Sequence, residues 1–177
     1  MRRFGTVPPG VRSNVHQVIM MNGYGGGGGY AVGWSIFGGG DTSETFFSHE
    51  AMHNNDPGFS DGPNFSAAIA ADTCVPDNYS NNNNVEDFAQ VATYLHFDKN
   101  GRRISDYTGR NPTCMTNQLN AARNWLGDRL NIGPYACHLA AEDDGIVTAK
   151  KVDQDIIEQD PESSFGELLP HTPYERI

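Results

Sequence analysis

Residues 41–53 read Asp-Thr-Ser-Glu-Thr-Phe-Phe-Ser-His-Glu-Ala-Met-His, and this stretch decides the fold prediction. Asp41 stands three residues before Glu44, a spacing that favours a helix start. Residues 54–58, Asn-Asn-Asp-Pro-Gly, follow at once and are typical of a helix end. The stretch therefore predicts a helix of roughly 13 residues.

The C-terminal half of this helix contains the pattern His-Glu-x-x-His, formed by His49, Glu50 and His53. Residues i and i+4 of a helix project from one face, so both imidazoles can reach one metal ion. Glu50 is close enough to hold and deprotonate a metal-bound water, which is why this spacing recurs in zinc hydrolases. The alternative is a helix whose two histidines are merely surface groups.

A catalytic zinc needs a third protein ligand and an open position for water. The metzincin pattern requires Gly and then His or Asp after the second histidine, but Asp56 and Phe59 stand there. Asp56 and Asp61 stay open as aspartate ligands. A glutamate from a second helix is the remaining choice, and Glu86 lies in the first turn of a helix predicted over residues 85–97.

Around Glu86 the sequence resembles the gluzincin metallopeptidases, and within them the anthrax lethal factor-like catalytic domains of toxins and secreted fungal proteins. The resemblance covers about residues 30–97. Its motif Glu-x-Phe-Ala-Glu matches residues 86–90, which read Glu-Asp-Phe-Ala-Gln. The family also places a tyrosine seven residues ahead of its glutamate ligand, and here Tyr79 occupies that position.

For the site, this resemblance implies three zinc ligands, a general base that also acts as the acid, and a hydrogen-bond donor to the oxyanion. The implied zinc ligands are His49, His53 and Glu86. The implied base and acid is Glu50, and the implied oxyanion donor is Tyr79. The implied function is a zinc-dependent endopeptidase that cleaves a peptide or protein substrate through a metal-activated water. The alternative is a secreted effector or pseudo-peptidase that binds Zn²⁺ without turnover.

Three further polar residues are candidates for roles near this site. Asp87 is a candidate partner of a ligand histidine, and otherwise it faces water. His96 and His138 are candidates for supporting or oxyanion groups, although a lone helical histidine is more often structural.

Elsewhere, apolar runs and periodicities predict two strands and a further helix. The strands are residues 15–21 and 30–36, and the helix covers about residues 111–130. Residues 54–84 are rich in Pro, Gly and Asn and predict a long loop with one ordered piece at residues 67–71. The fold class is therefore α+β, with a small sheet packed on the active-site helix and further helices, which the resemblance implies form a zincin-like domain.

Length and charge set the domain organisation and exclude two kinds of partner. The 177 residues predict one domain over residues 1–141, for which a truncated N-terminus stays open, and an acidic, partly disordered tail over residues 142–177. With 12 Lys and Arg against 22 Asp and Glu, the formal charge is −10, so a nucleic-acid partner is not expected. No apolar run approaches the roughly 20 residues that cross a bilayer. A monomer is expected.

Three cysteines and two sequons favour a secreted protein, although no signal peptide is visible. The cysteines are Cys74, Cys114 and Cys137, and the glycosylation sequons begin at Asn64 and Asn78. The pairing stays open at this point. One possibility is a bond from Cys114 to Cys137 across the helix of residues 111–130, which leaves Cys74 as a free thiol.

Overall fold

The computed structural model describes residues 3–21, 28–108, 111–133 and 169–170. The helices are α1 (Pro9–Arg12), α2 (Glu44–His53), α3 (Pro63–Ala71), α4 (Asn84–Lys99), α5 (Ile104–Thr108) and α6 (Thr116–Leu126). The strands are β1 (Gln17–Met21), β2 (Gly29–Val32), β3 (Ser35–Gly39), β4 (Cys74–Val75) and β5 (Leu169–Pro170). Short 3₁₀ turns cover Phe4–Thr6, Tyr79–Asn81, Pro112–Met115 and Gly127–Leu130.

The first three strands form a sheet in the order β1-β3-β2, in which β1 runs parallel and β2 antiparallel to β3. The prediction of a single strand over residues 30–36 was wrong, because a tight turn at Gly33 divides that stretch into β2 and β3. Gly33 has a φ of 59°, which glycine adopts without steric cost. Val18, Ile36 and Ala31 share one row of the register, and the fully buried Ile36 faces the helices.

The predicted first helix is present as α2, but it begins later than expected. Its N-cap is Ser43, whose hydroxyl oxygen accepts a hydrogen bond from the Phe46 amide at 3.1 Å. Asp41 instead pairs with Arg3 at 2.6 Å on the surface. The C-terminal half of α2 therefore has the expected helical geometry, with His49 and His53 one turn apart.

Among the described elements, helix α4 packs against both α2 and α6. All of residues 87–97 are buried, which is typical of a helix that packs on more than one face. Asn83 caps α4, since its side-chain oxygen accepts from the Glu86 amide at 2.9 Å. The cap fixes the first turn of α4, which contains Glu86.

The prediction of a long loop over residues 54–84 was largely wrong. This region contains α3, β4 and the turn Tyr79–Asn81, and Phe65 and Ile69 of α3 are buried in the core. The small side chains of the sequence Ser-Ala-Ala-Ile-Ala-Ala, residues 66–71, allow α3 to pack closely against α6.

A disulfide joins Cys74 to Cys114, so the suggested pairing of Cys114 with Cys137 was wrong. The two partners lie 40 residues apart in the chain, and β4 brings Cys74 beside the turn Pro112–Met115. Nearby, the Asp72 carboxylate accepts hydrogen bonds from the Asn117 and Gln118 amides at the start of α6. Cys137 lies outside the described residues.

Helices and a small sheet together confirm the α+β class. Of the predicted tail over residues 142–177, only Leu169 and Pro170 are described, and they pair antiparallel with β4. The rest of that prediction lies outside the described residues. Among the described helices, none is long and apolar enough to cross a membrane.

Candidate metal centre

Three side chains from α2 and α4 converge on one point. His49 Nε2 lies 3.0 Å from His53 Nε2 and 3.0 Å from Glu86 Oε2, and His53 Nε2 lies 3.2 Å from the same Glu86 oxygen. The two imidazoles come from the last turns of α2, and the carboxylate comes from the first turn of α4. The structure thus brings together the three residues predicted as metal ligands.

A buried chain of hydrogen bonds fixes the orientation of His49. Gln90 Nε2 donates to Asp77 Oδ2 at 2.7 Å, so the amide oxygen of Gln90 faces His49. His49 Nδ1 lies 3.2 Å from that oxygen and must donate to it, because a carbonyl oxygen only accepts. In the neutral ring the lone pair is then on Nε2, the atom that points at His53 and Glu86.

This arrangement concentrates acceptor atoms where a positive charge is needed. The lone pair of His49 Nε2 faces the Glu86 carboxylate, and a single proton on His53 Nε2 cannot bond to both. Either a second proton on His49 or a metal ion must supply the missing positive charge. The three-atom cluster is therefore a place for a cation.

The pKa shifts of Glu86 and His49 agree with this conclusion. Burial would raise the pKa of Glu86, but hydrogen bonds from His49 and His53 outweigh it and lower the pKa well below the usual range. Burial would lower the pKa of His49, but the hydrogen bond to Glu86 and the charges of Glu50 and Glu86 raise it. Glu86 is thus an anion at neutral pH, and protons compete with a metal for His49.

The ligand set fits zinc. The three separations of 3.0, 3.0 and 3.2 Å are close to the about 3.3 Å between ligand atoms around a tetrahedral zinc ion with bonds of about 2.0–2.1 Å. Two imidazole nitrogens and one carboxylate oxygen are also donors that zinc accepts. The donor atoms therefore match zinc in both type and spacing.

The cluster opens on a cavity of about 260 Å³ between α2, α4 and β2. Its lining residues are Gly29, Tyr30, Ala31, Glu50, His53, Tyr79, Val85 and Glu86. The ring of Tyr79 also lies 5.7 Å from that of His49, measured between centroids. All five predicted site residues thus surround one position, with Glu50 and Tyr79 on the cavity side.

Two polar residues of the site were missed or misjudged from sequence. Gln90 departs from the expected acid of the motif, yet it contacts His49, whereas Asp87 does not. No role was predicted for Asp77, because nothing in its local sequence indicates that its carboxylate accepts a hydrogen bond from Gln90. The available signal was spacing, since Gln90 lies four residues after Glu86 and therefore on the same face of α4.

The two other candidate histidines lie elsewhere. His96 is buried and donates from Nε2 to the Thr6 carbonyl at 3.1 Å, while its Nδ1 accepts from the Ser48 hydroxyl at 2.8 Å. These bonds tie the N-terminal segment to the α2–α4 pair, so His96 has a structural role. His138 lies outside the described residues.

Comparison with known proteins places these residues in a different family from the one expected. The model of the family described as conidiation-specific protein Con-13 matches residues 11–131, a range that contains the whole cluster and its cavity. No curated protein and no solved structure matches the chain.

The family match overturns the resemblance to gluzincin metallopeptidases and lethal factor-like domains. The inferred function of a zinc-dependent endopeptidase was wrong with it, as was the assignment to the proteases and metalloproteases. The physical reason is that the resemblance rested on a few residues that define a ligand geometry. Helices of different families can supply the same geometry.

Proposed function

The chain belongs to the family of conidiation-specific protein Con-13, and we propose that it binds one zinc ion through His49, His53 and Glu86. The convergence of three ligand atoms within 3.2 Å of one another carries the proposal. The hydrogen bonds of Gln90 and Asp77 support it, because they direct the lone pair of His49 Nε2 into the cluster. A site that is oriented before the metal arrives binds it more tightly.

We also propose that the chain is an enzyme, without naming the class of its substrate. Three protein ligands leave one zinc position open, and a water bound there has its pKa lowered to about 7. Glu50 lines the adjoining cavity, where its carboxylate would accept a proton from a water or hydroxyl group. The Tyr79 hydroxyl would donate a hydrogen bond to an oxygen in the same cavity.

Fold, location and partners complete the proposal. We propose that the sheet edge beside α2 and the glutamate on α4 make the α+β fold zincin-like around the site. The Cys74–Cys114 bond supports secretion, because disulfides persist in oxidising compartments. We propose a monomer without nucleic-acid or membrane partners. A peptide or protein partner would lie along β2, whose residues 29–31 line the cavity.

Zinc content tests the central claim. The purified wild-type protein is expected to hold one zinc per chain after dialysis, measured by mass spectrometry of the metal. Glu86→Ala and His53→Ala are expected to lose it, because each removes one of only three protein ligands. A wild type that holds no zinc, or a Glu86→Ala variant with unchanged affinity, would contradict the proposal.

Two controls separate metal binding from general damage. His16→Ala removes an exposed histidine that stacks on Trp34 outside the site, and it is expected to keep the zinc. Glu50→Gln is expected to keep the zinc because Glu50 is not a ligand. For the enzyme proposal, chromogenic esters would be hydrolysed by the wild type and not by Glu50→Gln of equal zinc content.

A further inference from the structure

A second cavity lies where the end of α4, the start of α5, the turn Pro112–Met115 and α6 meet. Its volume is about 340 Å³, and it shares no lining residue with the cavity beside the proposed zinc cluster. A space of this size is within the range of pockets that hold small molecules. The cavity is therefore a candidate binding site that is separate from the metal centre.

Part of the lining is apolar and belongs to the core. Ile104 of α5 and Leu119 of α6 line the cavity, and each is only 6% exposed. Pro112, which begins the turn before α6, adds a third apolar surface. Because Ile104 and Leu119 are packed among other core residues, they offer a ligand a rigid apolar surface.

The exposed part of the lining contains two arginines. Arg103 directly precedes α5, and Arg123 lies in the last turn of α6, one helix turn after Leu119. Arg123 Nη1 donates to Asn120 Oδ1 at 2.8 Å, which orients its guanidinium group. In the part of the chain that the structure describes, Arg103 has no hydrogen bond or ion pair, and Arg123 has no ion pair. Both cations can therefore bind an anion without first breaking an ion pair.

Hydroxyl groups add further hydrogen-bond donors to the lining. Ser105 and Thr113 both line the cavity, and within the described residues no hydrogen bond occupies either hydroxyl. Thr116 also lines it, but its hydroxyl already donates to the Thr113 carbonyl at 2.9 Å. Two guanidinium groups and two hydroxyls are thus available to donate to one bound anion.

The net charge of the cavity and its surroundings favours an anion. Asp98, at the end of α4, is the acid among the lining residues, so with two arginines the lining keeps a net charge of +1. Residues 98–129 contain six Lys and Arg and three Asp, a net charge of +3, whereas the whole chain carries −10. The cavity lies in the basic part of an acidic protein, where the positive potential attracts anions.

We propose that this cavity binds a small organic molecule through its phosphate group. A phosphate monoester has three terminal oxygens, which match two planar guanidinium groups and two hydroxyls better than the two oxygens of a carboxylate do. The organic part of the ligand would contact Ile104, Pro112 and Leu119. This proposal does not depend on the zinc proposal.

NMR titration of the isotope-labelled full chain tests the proposal, with inorganic phosphate and phenyl phosphate as probes at neutral pH and constant ionic strength. Both probes are expected to shift the amide signals of residues 103–105 and 113–123 to saturation. Phenyl phosphate is expected to bind about 3-fold or more tightly than inorganic phosphate, because its ring buries apolar surface. Benzoate carries the same ring on a carboxylate and is expected to bind about 10-fold more weakly than phenyl phosphate.

Charge variants connect this binding to the cavity. Arg103→Gln and Arg123→Gln are each expected to weaken phosphate binding about 10-fold, since each removes charge-assisted hydrogen bonds. Asp98→Asn removes the negative charge of the lining and is expected to strengthen binding about 2–5-fold. Lys99→Gln is the matched control, because it removes a nearby cation that does not line the cavity. It is expected to change the Kd by less than about 2-fold.

Four outcomes would overturn the proposal. The first is that phosphate produces no saturable shift at residues 103–105 and 113–123 of the wild type, a result that needs no variant. The second is that Lys99→Gln weakens binding as much as the two arginine variants, because a general positive field then attracts phosphate. Equal affinity for benzoate and phenyl phosphate is the third, since it excludes a site selective for phosphate. Shifts confined to residues 49–53 are the fourth, because they place the anion at the metal centre.

Discussion

His49 and His96 are both buried at the junction of α2 and α4, yet their surroundings drive their acid–base behaviour in opposite directions. His49 is 7% exposed and His96 is 1% exposed. Glu86 and Glu50 raise the pKa of His49 against the effect of burial. Burial lowers the pKa of His96 to about 4, and the hydrogen bond to the Thr6 carbonyl offsets little of it.

The comparison shows that the partner, and not the depth of burial, decides what a buried histidine can do. Neutral partners on both nitrogens, the Ser48 hydroxyl and the Thr6 carbonyl, make His96 a neutral structural bridge. A carboxylate on one nitrogen and an amide oxygen on the other make His49 a site for positive charge. Ser48 and His49 are consecutive in α2, so one helix turn serves both purposes.

The largest expected effect concerns His96 and pH. In the unfolded chain the ring takes a proton below its ordinary pKa of 6.5, whereas in the folded protein it stays neutral down to about 4. The stability is therefore complete above pH 6.5 and falls as the pH falls towards 4. Over that window the loss amounts to about 3 kcal/mol, and below pH 4 this contribution levels off.

Denaturant unfolding of the wild type and His96→Gln between pH 7 and pH 4 measures this effect. Because other groups titrate in both proteins, the difference between the two curves isolates His96. That difference is expected to change by about 3 kcal/mol across the window. Parallel curves would show that His96 is not held neutral.

The next effect concerns how His49 is oriented. Gln90→Met keeps the length of the side chain but removes the acceptor for His49 Nδ1 and the donor to Asp77. Zinc affinity is expected to fall about 10–100-fold, since ligand histidines depend on such partners. Gln90→Glu restores an acceptor for Nδ1 and is expected to recover part of the loss.

Competition with a chromogenic chelator would give these affinities, and the cobalt-substituted absorption spectrum would report the ligand geometry. A Gln90→Met variant that binds zinc as tightly as the wild type would show that the ring needs no such support. Asn120→Ala, an exposed change on α6, serves as the control and is expected to leave the affinity unchanged.

These residues also show how far the sequence alone leads. The spacing of His49 and His53 is local to one helix, so it could be read directly, and Glu86 follows from its place in the first turn of α4. The role of Asp77 could not be predicted, because its hydrogen bond with Gln90 is a tertiary contact between the segment that follows β4 and helix α4. The Cys74–Cys114 bond was hidden for the same reason.

The remaining errors have physical causes of a different kind. The alternation of apolar and polar residues over residues 30–36 continues through the turn at Gly33, because the strands on both sides of a two-residue hairpin loop keep the same period. One strand was therefore predicted where the structure has β2 and β3. The family was misjudged because the spacing of His49, His53 and Glu86 reflects only the geometry that a metal ion requires of its ligands. It does not report the ancestry of the helices that meet those demands.

The smallest expected effect tests whether the two histidines act independently. Ser48→Ala removes the hydroxyl that donates to His96 Nδ1 and leaves that buried nitrogen without its partner. The cost to the free energy of unfolding is expected to be about 1 kcal/mol. Zinc affinity is expected to stay the same, although Ser48 adjoins the proposed ligand His49, because their side chains contact different partners. Unfolding and chelator competition on one sample measure both quantities, and a joint loss would mean that the two environments are coupled through α2.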